Sequence, residues 1–118
     1  MFRAIAARAN YLPADRPDIQ YAVKEVCRRM AKPVEGDWQK LIRLGRYLKG
    51  PPRCVLEYRW QAAGSVPTGY SDSDWAGDRT TGKSTTGGIV MLGTHLVKSW
   101  SRTQDSVTLS SAEAELVA

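Results

Sequence analysis

The sequence predicts a mixed α/β chain of the α+β type, with a helical first part followed by strands and a final helix. Up to about residue 50, apolar residues recur three or four positions apart, which is the spacing of amphipathic helices. After Pro51-Pro52 the apolar residues alternate with polar ones, as in half-buried strands. A helix-start signal follows near the end of the chain. We therefore expect three helices, several short strands and one more helix.

The first part, residues 1–52, is predicted to hold three helices. The first covers residues 2–12. The second begins at Pro17, which is tolerated in a first turn, and ends before Pro33. Its expected apolar face is Ile19, Ala22, Val23, Val26, Cys27 and Met30. The third helix begins at about Asp37 and stops at Gly50. Its expected apolar face is Trp38, Leu41, Ile42, Gly45 and Leu48.

Basic residues follow the third predicted helix at every third position. They are Lys40, Arg43, Arg46 and Lys49. Residues 1–60 hold 13 Lys and Arg against 6 Asp and Glu, whereas residues 61–118 hold 4 against 6. A basic half beside a mildly acidic half suits a protein that binds a polyanion. The stripe either follows a nucleic-acid backbone or is an ordinary solvated helix face, and both readings stay open.

The second part is predicted to contain strands and one helix. Residues 53–66 combine a half-buried strand, Cys54 to Trp60, with a linker. Residues 67–118 contain three strands and a helix. The strands are Thr68–Trp75, Gly88–Leu92 and Leu96–Trp100. Gly93-Thr94 is typical of a tight hairpin between the last two strands. Ser110 and Glu113 form a capping-box pattern, so a helix should start there.

The stretch GDRTTGKS, residues 77–84, fits the phosphate-loop pattern G-x-x-x-x-G-K-[ST]. A working phosphate loop lies between a buried strand and a helix. Here the residues after Ser84 are TTGGIVML, which favour a strand and not a helix. We therefore interpret the stretch as a glycine-bearing turn with Lys83 solvated at its tip, and assign no nucleotide-binding residue.

The remaining distinctive residues are expected to have structural roles. Cys27 and Cys54 lack disulfide or metal-ligand spacing, so we expect two reduced, partly buried thiols in an intracellular protein. No apolar run approaches membrane-span length, and the start does not resemble a secretory signal. We expect His95 at a hairpin edge, and core packing for Trp75 and Trp100 in preference to base stacking.

Two carboxylate pairs stand out in the second part. Asp72 and Asp74 are two residues apart on a predicted strand and therefore point to the same face. Glu113 and Glu115 lie at the start of the last predicted helix, and only Glu113 is explained by capping. A strand aspartate and a helix glutamate brought together could share a divalent metal, because such ions prefer oxygen ligands.

Several blocks of sequence resemble copia-type retrotransposon Pol polyproteins. The run GYSDSDWAGD…STTGGIVMLG…VKSWSRTQDSVTLSSAEAELVA is similar to the ribonuclease H domain of these polyproteins. The upstream run RPDIQYAV…M-x-x-P…W…RYLKG resembles the helical segment that follows their reverse-transcriptase catalytic region. The blocks occur in the family's order and together span nearly the whole chain. Residues 1–52 would then be the helical tail of the reverse-transcriptase region, and residues 67–118 the first half of a ribonuclease H-like domain.

The resemblance implies Mg²⁺-dependent cleavage of RNA in RNA–DNA hybrids, with the rest of the polyprotein as a partner in a cytoplasmic virus-like particle. It makes Asp72 the first metal ligand and Glu115 the second, with Asp74 a neighbour of unassigned role. The family takes its third and fourth acids from a later strand and helix, which lie beyond Ala118. We therefore expect an incomplete site that is inactive alone. The alternative is a non-catalytic remnant that binds nucleic acid through its basic helices.

Overall fold

In a computed structural model that describes residues 1–62 and 66–118, the chain forms two compact units, Met1–Val55 and Leu56–Ala118. The first unit contains three α-helices: α1 (Phe2–Ala9), α2 (Gln20–Arg28) and α3 (Glu35–Lys49). The second unit contains three strands and one α-helix among its described residues: β1 (Pro67–Asp74), β2 (Thr85–Leu92), β3 (His95–Thr103) and α4 (Ser111–Val117). The middle of the predicted linker, residues 63–65, lies outside the described residues.

The three predicted helices of the first unit are confirmed, and their apolar faces meet in one core. The buried residues are Phe2, Ala6, Ala9, Ile19, Val23, Val26, Leu41 and Leu44. Several boundaries differ from the prediction. Helix α1 ends at Ala9, and α2 ends at Arg28. Residues Pro17–Ile19 form a 3-10 turn, so α2 itself begins at Gln20, and α3 begins at Glu35. On α3 the buried position is Leu44 and not Gly45, since Leu44 follows Leu41 by three residues and shares its face.

The start of α3 is set by Asp37, which is buried two residues inside the helix and does not begin it. Its carboxylate accepts a hydrogen bond from the Val34 backbone N–H at 3.0 Å and lies 3.3 Å from the Lys40 ammonium. Burial alone would raise the pKa of Asp37. The hydrogen bond from Val34 and the charge of Lys40 outweigh burial and lower that pKa below its ordinary value.

The half-buried strand predicted for residues 54–60 is wrong, because these residues form no strand. Side chains of this segment and of Gln61 nevertheless bond to the β2–β3 hairpin. The Tyr58 hydroxyl donates to the Leu96 carbonyl at 2.8 Å, and the Gln61 amide donates to the Leu92 carbonyl at 2.7 Å. Apolar and polar alternation did not produce a strand here because no backbone ladder pairs with the segment.

The second unit is built on an antiparallel sheet with the order β1-β2-β3. Both β2 and β3 are three residues longer than predicted at the end away from their shared hairpin. Gly88 lies opposite Trp100 in the ladder, and a Cβ at Gly88 would lie 2.1 Å from the indole ring. Glycine is therefore required for this cross-strand contact. The predicted hairpin is confirmed, with Gly93 at φ +59°.

Helix α4 packs against β1, and its predicted start is confirmed. The Ser110 hydroxyl accepts the Glu113 backbone N–H at 3.2 Å. The Glu113 carboxylate accepts from the Leu109 N–H, and not from the N-cap residue itself as a regular capping box requires. Ala114 is the buried residue of α4 and is 0% exposed. In the described part of the chain, no helix has the length and apolar character needed to cross a membrane.

Candidate metal site and basic groove

Asp72 lies in the middle of the exposed strand β1, opposite Gly87 of β2. Its side chain is exposed, and its carboxylate has no hydrogen-bond partner among the described residues. A Cβ built on Gly87 would have no atom within 4 Å, so the sheet surface beside Asp72 is open. An ion that keeps much of its water shell can approach such a carboxylate.

Asp74 has a different environment, although it shares a strand face with Asp72. One carboxylate oxygen accepts the backbone N–H of Thr85, the residue that pairs with Asp74 in the ladder. The carboxylate also lies against Gly77, where a Cβ would be 2.0 Å from its second oxygen. The two carboxylates that the sequence presents as equivalent are therefore not equivalent in the structure.

Glu115 is exposed on α4, one residue after the buried Ala114. The contact between α4 and β1 brings together the elements that carry Asp72 and Glu115. Side chains alternate along a strand, so Asp72 projects from the face opposite that of Ser73 and its ladder partner Thr86.

A polar network connects the β1–β2 turn to the loop before α4, and Ser84 and Thr108 in it are buried. The Ser84 hydroxyl bonds to the Ala76 N–H and to the Thr108 hydroxyl, both at 3.1 Å. The Trp75 indole N–H donates to the Thr108 carbonyl at 3.1 Å. Sequence patterns did not predict this network, since small polar residues in a turn give no signal of burial. The network joins the turn after β1 to the loop that precedes α4, the helix that carries Glu115.

Gln104 makes the most direct link between the sheet and α4. Its side-chain amide donates to the Thr86 hydroxyl at 3.0 Å and to the Ala114 carbonyl at 2.9 Å, and only 6% of the residue is exposed. Because a carbonyl can only accept, the contact to Ala114 fixes which end of the amide is the nitrogen. The Gln104 amide thus holds Ala114, the residue before Glu115, close to Thr86 of β2.

The donor chemistry of the predicted site fits Mg²⁺, which prefers carboxylate oxygens. Within residues 1–62 and 66–118, no cluster of three or more His, Cys, Asp or Glu side chains could hold a metal. Asp72 and Glu115 would therefore act as a pair, and their joint Mg²⁺ site stays a prediction.

The GDRTTGKS stretch is a turn between β1 and β2, as interpreted from the sequence. The buried Asp78 side chain organises it by accepting from the Thr80 N–H at 3.0 Å and the Thr81 hydroxyl at 2.7 Å. A strand follows it, not the helix that a phosphate loop requires. Lys83 is half-buried, which corrects its predicted place at a solvated tip.

The four predicted basic residues of α3 are all exposed. Three of them line a groove of about 360 Å³, which we call the basic groove. Its lining is Gly36, Gln39, Lys40, Arg43 and Arg46. Lys49 is not part of that lining. Lys40 is partly neutralised by Asp37, and no described ion pair involves Arg43 or Arg46.

A second groove of about 430 Å³ lies between α2 and α3. One wall carries Asp18, whose carboxylate pairs with the buried Arg16 at 2.8 Å and accepts the Tyr47 hydroxyl at 2.9 Å. The Arg16 guanidinium, followed by the hydroxyl of Tyr47, lowers the pKa of Asp18 to about 2. These contacts connect the turn before α2 to α3, so we assign the cluster a structural role.

The other singled-out residues mostly behave as expected. Cys27 and Cys54 are free and half-buried, and burial raises the pKa of Cys27. Trp100 is half-buried, but Trp75 is 52% exposed, so core packing is wrong for Trp75. His95 begins β3 at the hairpin edge, with Nε2 2.6 Å from the Arg59 carbonyl. Sequence patterns did not predict that partner, because Arg59 lies in a segment predicted to be a strand.

Comparison with known proteins relates the chain to transposon polyproteins. It is 42% identical over 115 residues to the uncharacterized mitochondrial protein AtMg00810 of Arabidopsis thaliana, a match that covers 97% of the chain and 47% of that protein. It is 41% identical over 114 residues to the retrovirus-related Pol polyprotein from transposon RE1 of the same plant, covering 97% of the chain and 8% of the polyprotein. It is 36% identical to the secreted RxLR effector protein 161 of Plasmopara viticola, covering 98% of the chain and 80% of that protein.

The chain belongs to the family of retrovirus-related Pol polyproteins of copia-type transposons, as its sequence predicts. It spans about half of the Arabidopsis mitochondrial relative and less than a tenth of the polyproteins. No protein-family model matches it, and no solved structure does.

Proposed function

We propose that the chain acts as a segment of a Pol polyprotein whose second unit contributes to a ribonuclease H-type site. The reaction is Mg²⁺-dependent hydrolysis of the RNA strand of an RNA–DNA hybrid, with Asp72 and Glu115 as two of the ligands. The observation that carries the proposal is that Asp72 and Glu115 lie on elements in contact. The similarity to Pol polyproteins, which covers nearly the whole chain, supports it. The order of three antiparallel strands and a helix supports the same assignment.

The residues of this chain would hold the ion and orient it toward the phosphate. Bound Mg²⁺ supplies an activated water and stabilises charge on the leaving oxygen. Two exposed carboxylates leave most of the ion's coordination to water, so we expect weak binding. We accordingly expect little or no hydrolysis by these 118 residues, as the sequence analysis also predicts.

The proposal is tested most directly by ion binding. Mn²⁺, used as a paramagnetic probe of the Mg²⁺ site, should broaden the NMR signals of both Asp72 and Glu115, and excess Mg²⁺ should reverse the broadening. Asp72→Asn and Glu115→Gln should each weaken the effect at both residues. Glu113→Gln is the matched control, because the Glu113 carboxylate is already bonded to the Leu109 N–H. Broadening at one residue only, or at neither, would contradict a shared site.

A hybrid-cleavage assay adds a functional readout. The purified chain is incubated with a labelled RNA–DNA hybrid and Mg²⁺. Any cleavage should disappear in Asp72→Asn, whereas cleavage that persists in this variant would show that Asp72 is not a catalytic ligand.

A second candidate function, nucleic-acid binding through the basic groove, is favoured by a separate observation. Lys40, Arg43 and Arg46 line one groove on an exposed helix face, and two of them have no described ion pair. Cations arranged in this way can follow a phosphate backbone without reading its sequence.

The salt dependence of binding tests this function. For a short RNA–DNA hybrid, Arg43→Ala and Arg46→Ala should each reduce the slope of log affinity against log salt by about 0.9. Lys40→Ala should have a smaller effect because Asp37 already pairs with it. Lys49→Ala is the control outside the basic groove. Equal effects at all four residues would favour a uniform basic stripe, and no change at any of them would exclude the function.

A further inference from the structure

We propose that Asp74 is a positioning residue that closes the β1–β2 turn, and that it leaves Asp72 as the carboxylate on this strand face available to an ion. The part of this inference that makes Asp72 an ion ligand rests on the proposed function. Its structural part, the role of Asp74 in the turn, stands on contacts within the second unit.

The Asp74 carboxylate is bonded to the start of β2 and lies against Gly77 of the turn. One oxygen accepts the N–H of Thr85, which forms the last pair of the β1–β2 ladder with Asp74. The other oxygen lies so close to Gly77 that a Cβ there would be 2.0 Å away. Only a residue without a side chain leaves room for the carboxylate at that point.

The turn that Asp74 closes contains a strained residue. Ala76 has φ +50°, in the left-handed region that non-glycine residues rarely occupy. Its N–H donates to the Ser84 hydroxyl at 3.1 Å. Ser84 thus holds Ala76, and the Asp74 carboxylate lies against the next residue, Gly77. A strained conformation persists only where its surroundings impose it.

Asp72 has none of these contacts. Its carboxylate is exposed, without a described hydrogen bond, and the surface at its ladder partner Gly87 is open. Two residues of the same type, on the same strand face, therefore have distinct tasks. Asp74 fixes the end of β1, and the fixed strand holds Asp72 in place.

The experiment uses the full chain and three variants at the turn. Asp74→Asn keeps an oxygen that can accept the Thr85 N–H, whereas Asp74→Ala removes it. Gly77→Ala leaves Asp74 intact but places a Cβ where its carboxylate lies. Amide hydrogen exchange at Thr85 should become at least about tenfold faster in Asp74→Ala and in Gly77→Ala, and stay within about twofold of the parent in Asp74→Asn. Unchanged exchange in Asp74→Ala would overturn the assignment.

Mg²⁺ titration followed by NMR distinguishes a positioning residue from a ligand. Asp74→Asn should bind Mg²⁺ within about twofold of the parent, because its charge is not used for the ion, whereas Asp72→Asn should bind at least about tenfold more weakly. Asp74→Ala should weaken binding, and Asp74→Asn should restore it. Equal losses in Asp74→Asn and Asp72→Asn would overturn the proposal by making Asp74 a ligand. If the parent binds no Mg²⁺, the proposed metal site fails, and exchange at Thr85 still decides the role of Asp74.

Discussion

The two units of the chain are stabilised by different interactions. The first unit buries eight apolar residues in one cluster, seven from its three α-helices and Ile19 from the turn before α2. In the described part of the second unit, Ala114 is the single buried apolar residue, and the other buried residues are polar. These are Asp78, Ser84, Thr85, Thr86, Gln104 and Thr108.

This difference determines how each unit responds to substitution. Apolar burial has no directional requirement and contributes about 1.5–3 kcal/mol for a large side chain. A hydrogen bond contributes about 1 kcal/mol net, but an unpaired buried partner costs more than the bond contributes. Two buried oxygens of the second unit, Ser73 Oγ and Gln104 Oε1, already have no partner among the described residues. The first unit should therefore be destabilised most by substitutions that remove buried apolar volume. The second unit should be destabilised most by substitutions that remove hydrogen bonds.

The largest effect is expected in the apolar core of the first unit. Ile19 is 1% exposed, so Ile19→Ala should lower the free energy of unfolding by about 2–4 kcal/mol. Urea unfolding followed by far-UV circular dichroism measures it. Ile5→Ala is the matched control, since Ile5 is 37% exposed, and should cost less than about 1 kcal/mol. Equal losses in the two variants would contradict a core centred on Ile19.

In the second unit, Gln104→Leu should cost about 2 kcal/mol, because Thr86 Oγ1 and the Ala114 carbonyl both lose their donor. Hydrogen exchange at amides of α4 and β2 measures the loss. Adding Thr86→Val should recover part of it, since one unpaired partner is then removed. Gln39→Leu, at an exposed position of α3, should stay within about 0.5 kcal/mol of the parent. A similar loss in both single variants would argue against the polar network.

The ion pair between Arg16 and Asp18 in the first unit should make the free energy of unfolding depend on pH, which apolar burial does not. The folded pKa of Asp18, about 2, lies below its ordinary 3.8, so the stabilisation is present above pH 3.8 and disappears as the pH falls toward 2. Because the side chain is a quarter exposed, we expect a loss of about 1–2 kcal/mol. Urea unfolding of the parent and Asp18→Asn across this range checks it. The variant should lack the loss, and parallel curves would contradict the assignment.

The smallest effect is expected at the start of α4. Ser110→Ala removes the hydroxyl that accepts the Glu113 N–H and should cost about 1 kcal/mol. Hydrogen exchange within α4 is the measurement. Ser111→Ala, one position later, is the control and should change exchange little. A greater effect of Ser111→Ala than of Ser110→Ala would show that Ser110 is not the N-cap of α4.

Local patterns were sufficient to predict the helices, the hairpin and the turn. The spacing of Ile19, Val23 and Val26 predicts a helix because each of its turns presents one side to the core. Gly93 and Ser110 act through their own backbone geometry and nearest neighbours. The same local logic failed for residues 54–60, where a strand would have required a partner that sequence does not reveal.

The candidate site was predictable in part. The strand that carries Asp72 and the helix that carries Glu115 were predicted from sequence, and the structure places those elements in contact. The separate tasks of Asp72 and Asp74 could not be predicted, because they depend on Thr85 and Gly77 reaching the Asp74 carboxylate. The basic groove likewise includes three of the four cations, a distinction that regular spacing does not contain.

By itself, the sequence determined the family, the order of the elements and the residue types available for chemistry. These properties follow from periodicity, turn residues and motif blocks, which act over a few neighbouring positions. Only the tertiary structure decided which polar groups are buried, which carboxylate is engaged and which basic residues share a groove. The physical reason is that burial and hydrogen bonding join residues distant in sequence, as Gln104 joins Thr86 to Ala114.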